Sequence, residues 1–149
     1  MRSIDEKLIS MKIPVEIIEN IFEDSVVSGE MYYEVCVDCR GYRVCTLISV
    51  KLEDIDSFKT VLEGLIIHID KNRVINEEIE TLLRLSRIIK YEGNVAKIYI
   101  PPLLSKSAYI VACRDIDWSK YDIRRVPVEE AYLYVGEEKN GNYEDNEMA

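Results

Sequence analysis

The strongest pattern in the chain is a two-residue alternation running over residues 31–50. Tyr33, Val35, Val37 and Cys39 alternate with Glu34, Cys36 and Asp38, and the rhythm resumes after Arg40-Gly41 with Tyr42 and Val44 against Arg43 and Cys45. A period of two marks strands that bury one face, and glycine supplies the positive φ that a tight hairpin loop needs. With Arg40-Gly41 as the loop, the predicted pairs are Cys39 with Tyr42, Asp38 with Arg43, Val37 with Val44, Cys36 with Cys45, Val35 with Thr46 and Tyr33 with Ile48. One face then collects Tyr33, Val35, Val37, Cys39, Tyr42, Val44, Ile48 and Val50. The other carries Glu34, Cys36, Asp38, Arg43, Cys45 and Ser49. A slip of one residue would scramble that sorting, so the pattern itself argues for the register.

Elsewhere the apolar spacing changes to three and four. Ser3 with Glu6 reads as a capping box for a short helix to about Met11, and Pro14 suits the first turn of a second helix carrying Ile17, Ile18, Ile21 and Phe22. The Pro14-Val15-Glu16-Ile17-Ile18 run resembles the opening of an F-box. The resemblance spans about ten residues; an F-box continues with further helices, whereas this chain turns at Ser28-Gly29 toward a strand, so no function is carried over. Ile55, Phe58, Leu62, Leu65, Ile66 and Ile69 predict an amphipathic helix over 54–70. Asn76 is placed to cap a following helix with Glu77 and Glu78 in its first turn, an apolar stripe of Ile79, Leu82, Leu83, Leu85 and Ile89, Lys90 in its last turn and Gly93 to end it. Strand-like runs at 95–100 and 108–113 flank Pro101-Pro102, a polar stretch covers 115–125, and 128–135 reads as a last strand.

Helices and strands segregate in this order instead of alternating. The expectation is an α+β domain over 1–136: a two-layer fold with a mostly antiparallel sheet, made of the 31–50 hairpin and the C-terminal strands, packed against a helix pair and preceded by short N-terminal helices. Residues 137–149 are polar and acidic and read as a disordered tail. A length of 149 residues with 48% hydrophobic composition suits one such domain with a real core. No apolar run reaches membrane-spanning length and no signal-peptide pattern opens the chain, so the expected location is cytoplasmic, away from the membrane.

Glutamine is absent, threonine occurs only at 46, 60 and 81, and charged residues make up 32%. That composition is thermophile-like, and some thermophiles keep disulfides inside the cell. This matters for the four cysteines. Cys36 and Cys39 have the C-x-x-C spacing of a zinc knuckle, with Cys45 and Cys113 able to complete it. Structural zinc wants a second such pair, however, and the hairpin register puts Cys36 and Cys39 on opposite faces. No metal or other cofactor is therefore expected. A redox C-x-x-C belongs at a helix N-terminus, not in a hairpin. The register favours a different partner: Cys36 and Cys45 fall on a non-hydrogen-bonded pair, roughly 4.5 Å apart at Cα, close enough for a disulfide. Four reduced, half-buried thiols are the plain alternative.

His68 is the single imidazole, which excludes every site needing two. No nucleophile stands at a motif spacing from it, and no phosphate loop, GxSxG or GxGxxG is present. Asp54-Ile55-Asp56 and Asp115-Ile116-Asp117 read as loop and capping residues.

Charge is the last distinguishing feature. Residues 81–125 carry nine basic and four acidic groups, although the chain as a whole is at −9. Arg84, Arg87, Lys90, Tyr91, Lys97, Lys106, Arg114, Arg124 and Arg125 make this segment a candidate nucleic-acid surface of basic groups interleaved with aromatics. The competing reading is a solvated face neutralised by acidic neighbours. The sequence thus points first to a non-catalytic accessory or interaction subunit with a protein partner. Nucleic-acid binding through 84–125 is the alternative, and an enzyme assembled from His68 and a cysteine is remoter.

Overall fold

The computed structural model describes residues 1–136; the expected acidic tail at 137–149 lies outside them. The elements in chain order are β1 (Arg2–Ile4), α1 (Glu6–Ser10), α2 (Val15–Ser28), β2 (Tyr32–Cys39), β3 (Tyr42–Asp54), β4 (Ser57–Asp70), α3 (Glu77–Leu85), β5 (Ile88–Glu92), β6 (Val95–Ile100), α4 (Pro102–Ala112), β7 (Asp122–Val126) and α5 (Val128–Ala131). Strands run β5-β6-β4-β3-β2-β7, with β1 added parallel to the start of β4. Every other pairing is antiparallel. The fold is α+β with a mostly antiparallel seven-stranded sheet.

The β2–β3 hairpin has the predicted register throughout, including Cys36 opposite Cys45. Arg40 and Gly41 both take positive φ, 53° and 83°, as a type I′ loop requires. Tyr33, Val35, Val37, Tyr42, Val44, Ile48 and Val50 lie in the main core with residues of α1 to α4, among them Leu8, Ile18, Phe22, Leu82 and Ala108. A smaller cluster lies on the sheet's second face, where Tyr32, Leu47, Ile66, Tyr99 and Val126 meet Ala131, Tyr134 and Val135.

Four expected elements differ. Residues 54–70 form not a helix but the end of β3, a turn and β4. Leu62, Leu65, Ile66, Ile67 and Ile69 are all buried, because this strand is covered on both faces. Apolar residues therefore occupy both faces, with Leu65, Ile66 and Ile67 consecutive, and such a sequence imitates helical spacing. The helix capped by Asn76 stops at Leu85; Ser86 turns extended and 88–92 become β5, with Gly93 in the β5–β6 turn. Residues 108–113 are the end of α4, which Pro102 opens at a first-turn position. The last strand comes earlier than expected, at 122–126, and α5 follows it. At the N-terminus Ser3 pairs with Lys59 in β1, and Asp5, not Ser3, caps α1 by accepting from Lys7 N. Two sulfur bridges complete the fold: Cys36–Cys45 across the hairpin, with Cα atoms 4.0 Å apart, and Cys39–Cys113 from the end of β2 to the end of α4, at 5.9 Å.

Candidate functional site

The second face of the sheet is only partly roofed by α5 and the residues after it. What remains open is a cleft of about 530 Å³, whose lining includes Glu34, Arg43, Cys45, His68, Lys97 and Arg124. Strand pairing explains why these groups meet. Lys90 of β5 is opposite Lys97 of β6, Lys97 is opposite His68 of β4, and His68 is opposite Arg43 of β3. Four nitrogen-bearing side chains from four strands thus form one row across the sheet. A second row carries the Cys36–Cys45 bridge between Ile66 and Asp122. Glu34, two residues before Cys36, stands on the same face opposite Arg124.

Most of these charges have an opposite partner. Lys97 Nζ is 2.6 Å from Glu92, and Arg43 donates to Asp122 at 2.9 Å and to Asp38 at 3.3 Å. Arg124 donates to both Glu34 and Glu130. Glu34 is the buried member of this set, its side chain 7% exposed, so Arg124 balances a carboxylate largely withdrawn from water. The guanidinium of Arg124 has its proton held above the ordinary range by Glu130 and then Glu34. Lys97 in turn lowers the carboxyl of Glu92.

His68 is pushed down to about 4, first by burial and then by Lys97 and Arg43 beside it. Its imidazole is accordingly neutral at pH 7. Its Nε2 lies 3.9 Å from Cys45 Sγ, so the pairing of histidine and cysteine that sequence spacing does not reveal is made through space. In the bridged state that sulfur is neither thiol nor thiolate and offers no nucleophile.

The basic segment is dispersed. Lys90, Lys97 and Arg124 reach the cleft, with Tyr91 at its rim stacked under Lys71. Arg84 is exposed on α3 and donates to Thr81. Arg87 sits before β5, its backbone N–H bonded to Tyr99. Lys106 borders a separate groove between α1 and α4, and Arg114 is exposed beyond α4. Arg125 points to the first face, where Asp24 of α2 accepts from it at 2.9 and 2.8 Å. Arg125, followed by the Tyr33 hydroxyl, holds the Asp24 carboxyl at about 2.

Hairpin register alone brings Cys36 to Cys45, whereas Cys39 and Cys113 are seventy-four residues apart on elements that no local register relates, so their bridge is not legible in the sequence. Sequence reasoning also missed Glu34, Arg43 and His68 as cleft residues. The alternation already put Glu34, Arg43 and Cys45 on one face; only the pairing of β4 brings His68 to them. Comparison of the chain with protein-family models, with curated proteins and with solved structures gave no match. No helix among the described residues is long and apolar enough to cross a membrane.

Proposed function

We propose that the chain is a non-catalytic interaction component of a larger assembly, and that the cleft on the second face of the sheet receives a protein segment bearing charged side chains of both signs. The observation that supports this is the interleaving of charge: Lys97 with Glu92, Arg43 with Asp38 and Asp122, Arg124 with Glu34 and Glu130. A surface so arranged offers each sign of incoming charge a complementary position, and gives a polyanion little net attraction. The bridged Cys36–Cys45 pair and the neutral imidazole suit recognition better than turnover.

The test is affinity capture from the source organism with wild-type protein, a Lys97→Glu/Arg43→Glu cleft variant and an Arg84→Glu control on α3. A partner held by the wild type and the control but lost by the cleft variant supports the reading. A partner that the cleft variant retains, or no partner at all, refutes it.

Nucleic-acid binding is the second reading, favoured by the row of Lys90, Lys97 and Arg43 across adjacent strands. It requires single-stranded DNA or RNA to bind at roughly 50 mM salt, to weaken steeply as salt rises and to weaken in Lys97→Glu. Fluorescence anisotropy showing no binding at that salt removes it.

A further inference from the structure

The Cys36–Cys45 bridge does not stand alone on its face. Glu34, two residues before Cys36, projects from the same side of β2, and Cys36 Sγ is 3.9 Å from Glu34 Oε2. His68 projects beside Cys45 from β4, since its register partner is Arg43, two residues along β3. One ligating atom each from Glu34, Cys45 and His68 lies within 4.8 Å of the other two. Two sulfurs, one imidazole nitrogen and one carboxylate oxygen therefore converge from three adjacent strands. That donor set is the kind that zinc accepts in tetrahedral geometry, where neighbouring donor atoms stand roughly 3.3–3.8 Å apart. Once the two sulfurs are released from each other, side-chain rotation takes the present separations, 3.9 Å from Cys36 Sγ to Glu34 and up to 4.8 Å among Glu34, Cys45 and His68, to that range.

We propose that Cys36, Cys45, His68 and Glu34 form a four-ligand site for a thiophilic divalent cation of the zinc class when the Cys36–Cys45 bond is reduced, so that disulfide and metal are alternative states of one site. The chemistry balances with a dithiol as reductant. The dithiol gives two electrons and two protons to the bridge, becomes its own disulfide, and leaves two thiols on the protein. The cation then displaces those two protons to solvent and binds two thiolates. Two thiolates and one carboxylate against a divalent cation leave one negative charge. Arg124 already donates to Glu34 and stands beside that charge, while Arg43 and Lys97 of the adjoining row keep their own acidic partners.

The second bridge is separate from this set. Cys39 belongs to the alternate positions of β2 that face the helices, and its partner Cys113 ends α4. The proposal does not depend on whether the cleft also receives a protein segment, and its test reads the metal directly.

The test uses the full chain, reduced with an excess of a phosphine under argon, freed of it and titrated with Co²⁺. The expected result is one equivalent bound, with the strong visible bands of tetrahedral cobalt and ultraviolet thiolate-to-cobalt charge transfer, all displaced by Zn²⁺. The unreduced protein should show none of this. Glu34→Gln and His68→Ala should each weaken binding about tenfold or more, and Cys36→Ser/Cys45→Ser should abolish the charge-transfer band. Cys39→Ser/Cys113→Ser should retain it. Absence of charge transfer in the reduced wild type, its survival in Cys36→Ser/Cys45→Ser, or equal binding by the unreduced protein overturns the proposal. If the reduced chain unfolds, Zn²⁺ must restore its far-ultraviolet circular dichroism, and failure to do so overturns it equally.

Discussion

Glu34 and Arg124 show how strongly burial grades the same kind of contact. The Glu34 side chain is 7% exposed, whereas Glu92, the partner of Lys97, is 73% exposed. Breaking an ion pair costs most when the charge left behind cannot return to water. Arg124→Ala should therefore lower stability by about 2 kcal/mol, the exposed half of the arginine keeping the loss below that of a fully buried pair. Lys97→Ala should cost far less, since Glu92 remains hydrated and Lys97 stands beside His68 and Arg43. Urea denaturation of both variants checks the contrast, and equal losses would contradict it. The same strand shows why the basic segment could not be read as a surface from residue order. Arg124 and Arg125 are neighbours in sequence, yet consecutive side chains of a strand point to opposite faces. One enters the cleft and the other reaches Asp24 on α2.

Among elements, β4 teaches the most. Its Gly64 takes φ +148°, and a Cβ there would stand 2.4 Å from the Tyr99 ring and 2.7 Å from the Ile100 carbonyl oxygen. Gly64 lies where the β3–β4 register shifts, between Leu47 and Ile48, and lets β6 approach closely. Gly64→Ala should destabilise by about 3 kcal/mol, because it adds backbone strain to overpacking against a strand that cannot retreat. A melting temperature unchanged from wild type would show that β6 yields more easily than this geometry implies. Burial of β4 on both faces is also why the spacing of its sequence predicts a helix over 54–70. A strand buried on both faces loses the alternation that identified β2 and β3, and Leu62, Leu65, Ile66 and Ile69 then fit helical spacing equally well. The β-branched residues Thr60, Val61, Ile66, Ile67 and Ile69, with Gly64 among them, were the contrary signal. Where one face meets water or a polar cleft, as in the β2–β3 hairpin, pairing and facing were legible down to the Cys36–Cys45 contact. His68 was not legible as a cleft residue because its place depends on the element read with the wrong period. For α4, the signal was Pro102, which opens a helix where the apolar run 108–113 alone suggests a strand.

For the molecule as a whole, the two bridges differ in reach. Cys36–Cys45 spans nine residues, Cys39–Cys113 seventy-four. On the loop-closure account the longer loop removes more freedom from the unfolded chain, about 4.5 against about 2.7 kcal/mol. Replacing Cys39 and Cys113 by alanine should therefore lower the urea midpoint more than replacing Cys36 and Cys45, in metal-free buffer. The reverse order would mean that the short bridge contributes through the packing of its own face. Cys39–Cys113 also decides how the chain meets mechanical force. Tension applied at residues 1 and 136 passes along β2 to Cys39, crosses the sulfur bond and leaves through the segment after α4. The stretch between, which holds β3, β4, α3, β5, β6 and α4, is shunted out of the line of force while that bond is closed. Stretched between those two residues, the molecule would lengthen only by what lies outside the bridge, and opening one sulfur bond would return the middle of the sheet to the path of the load.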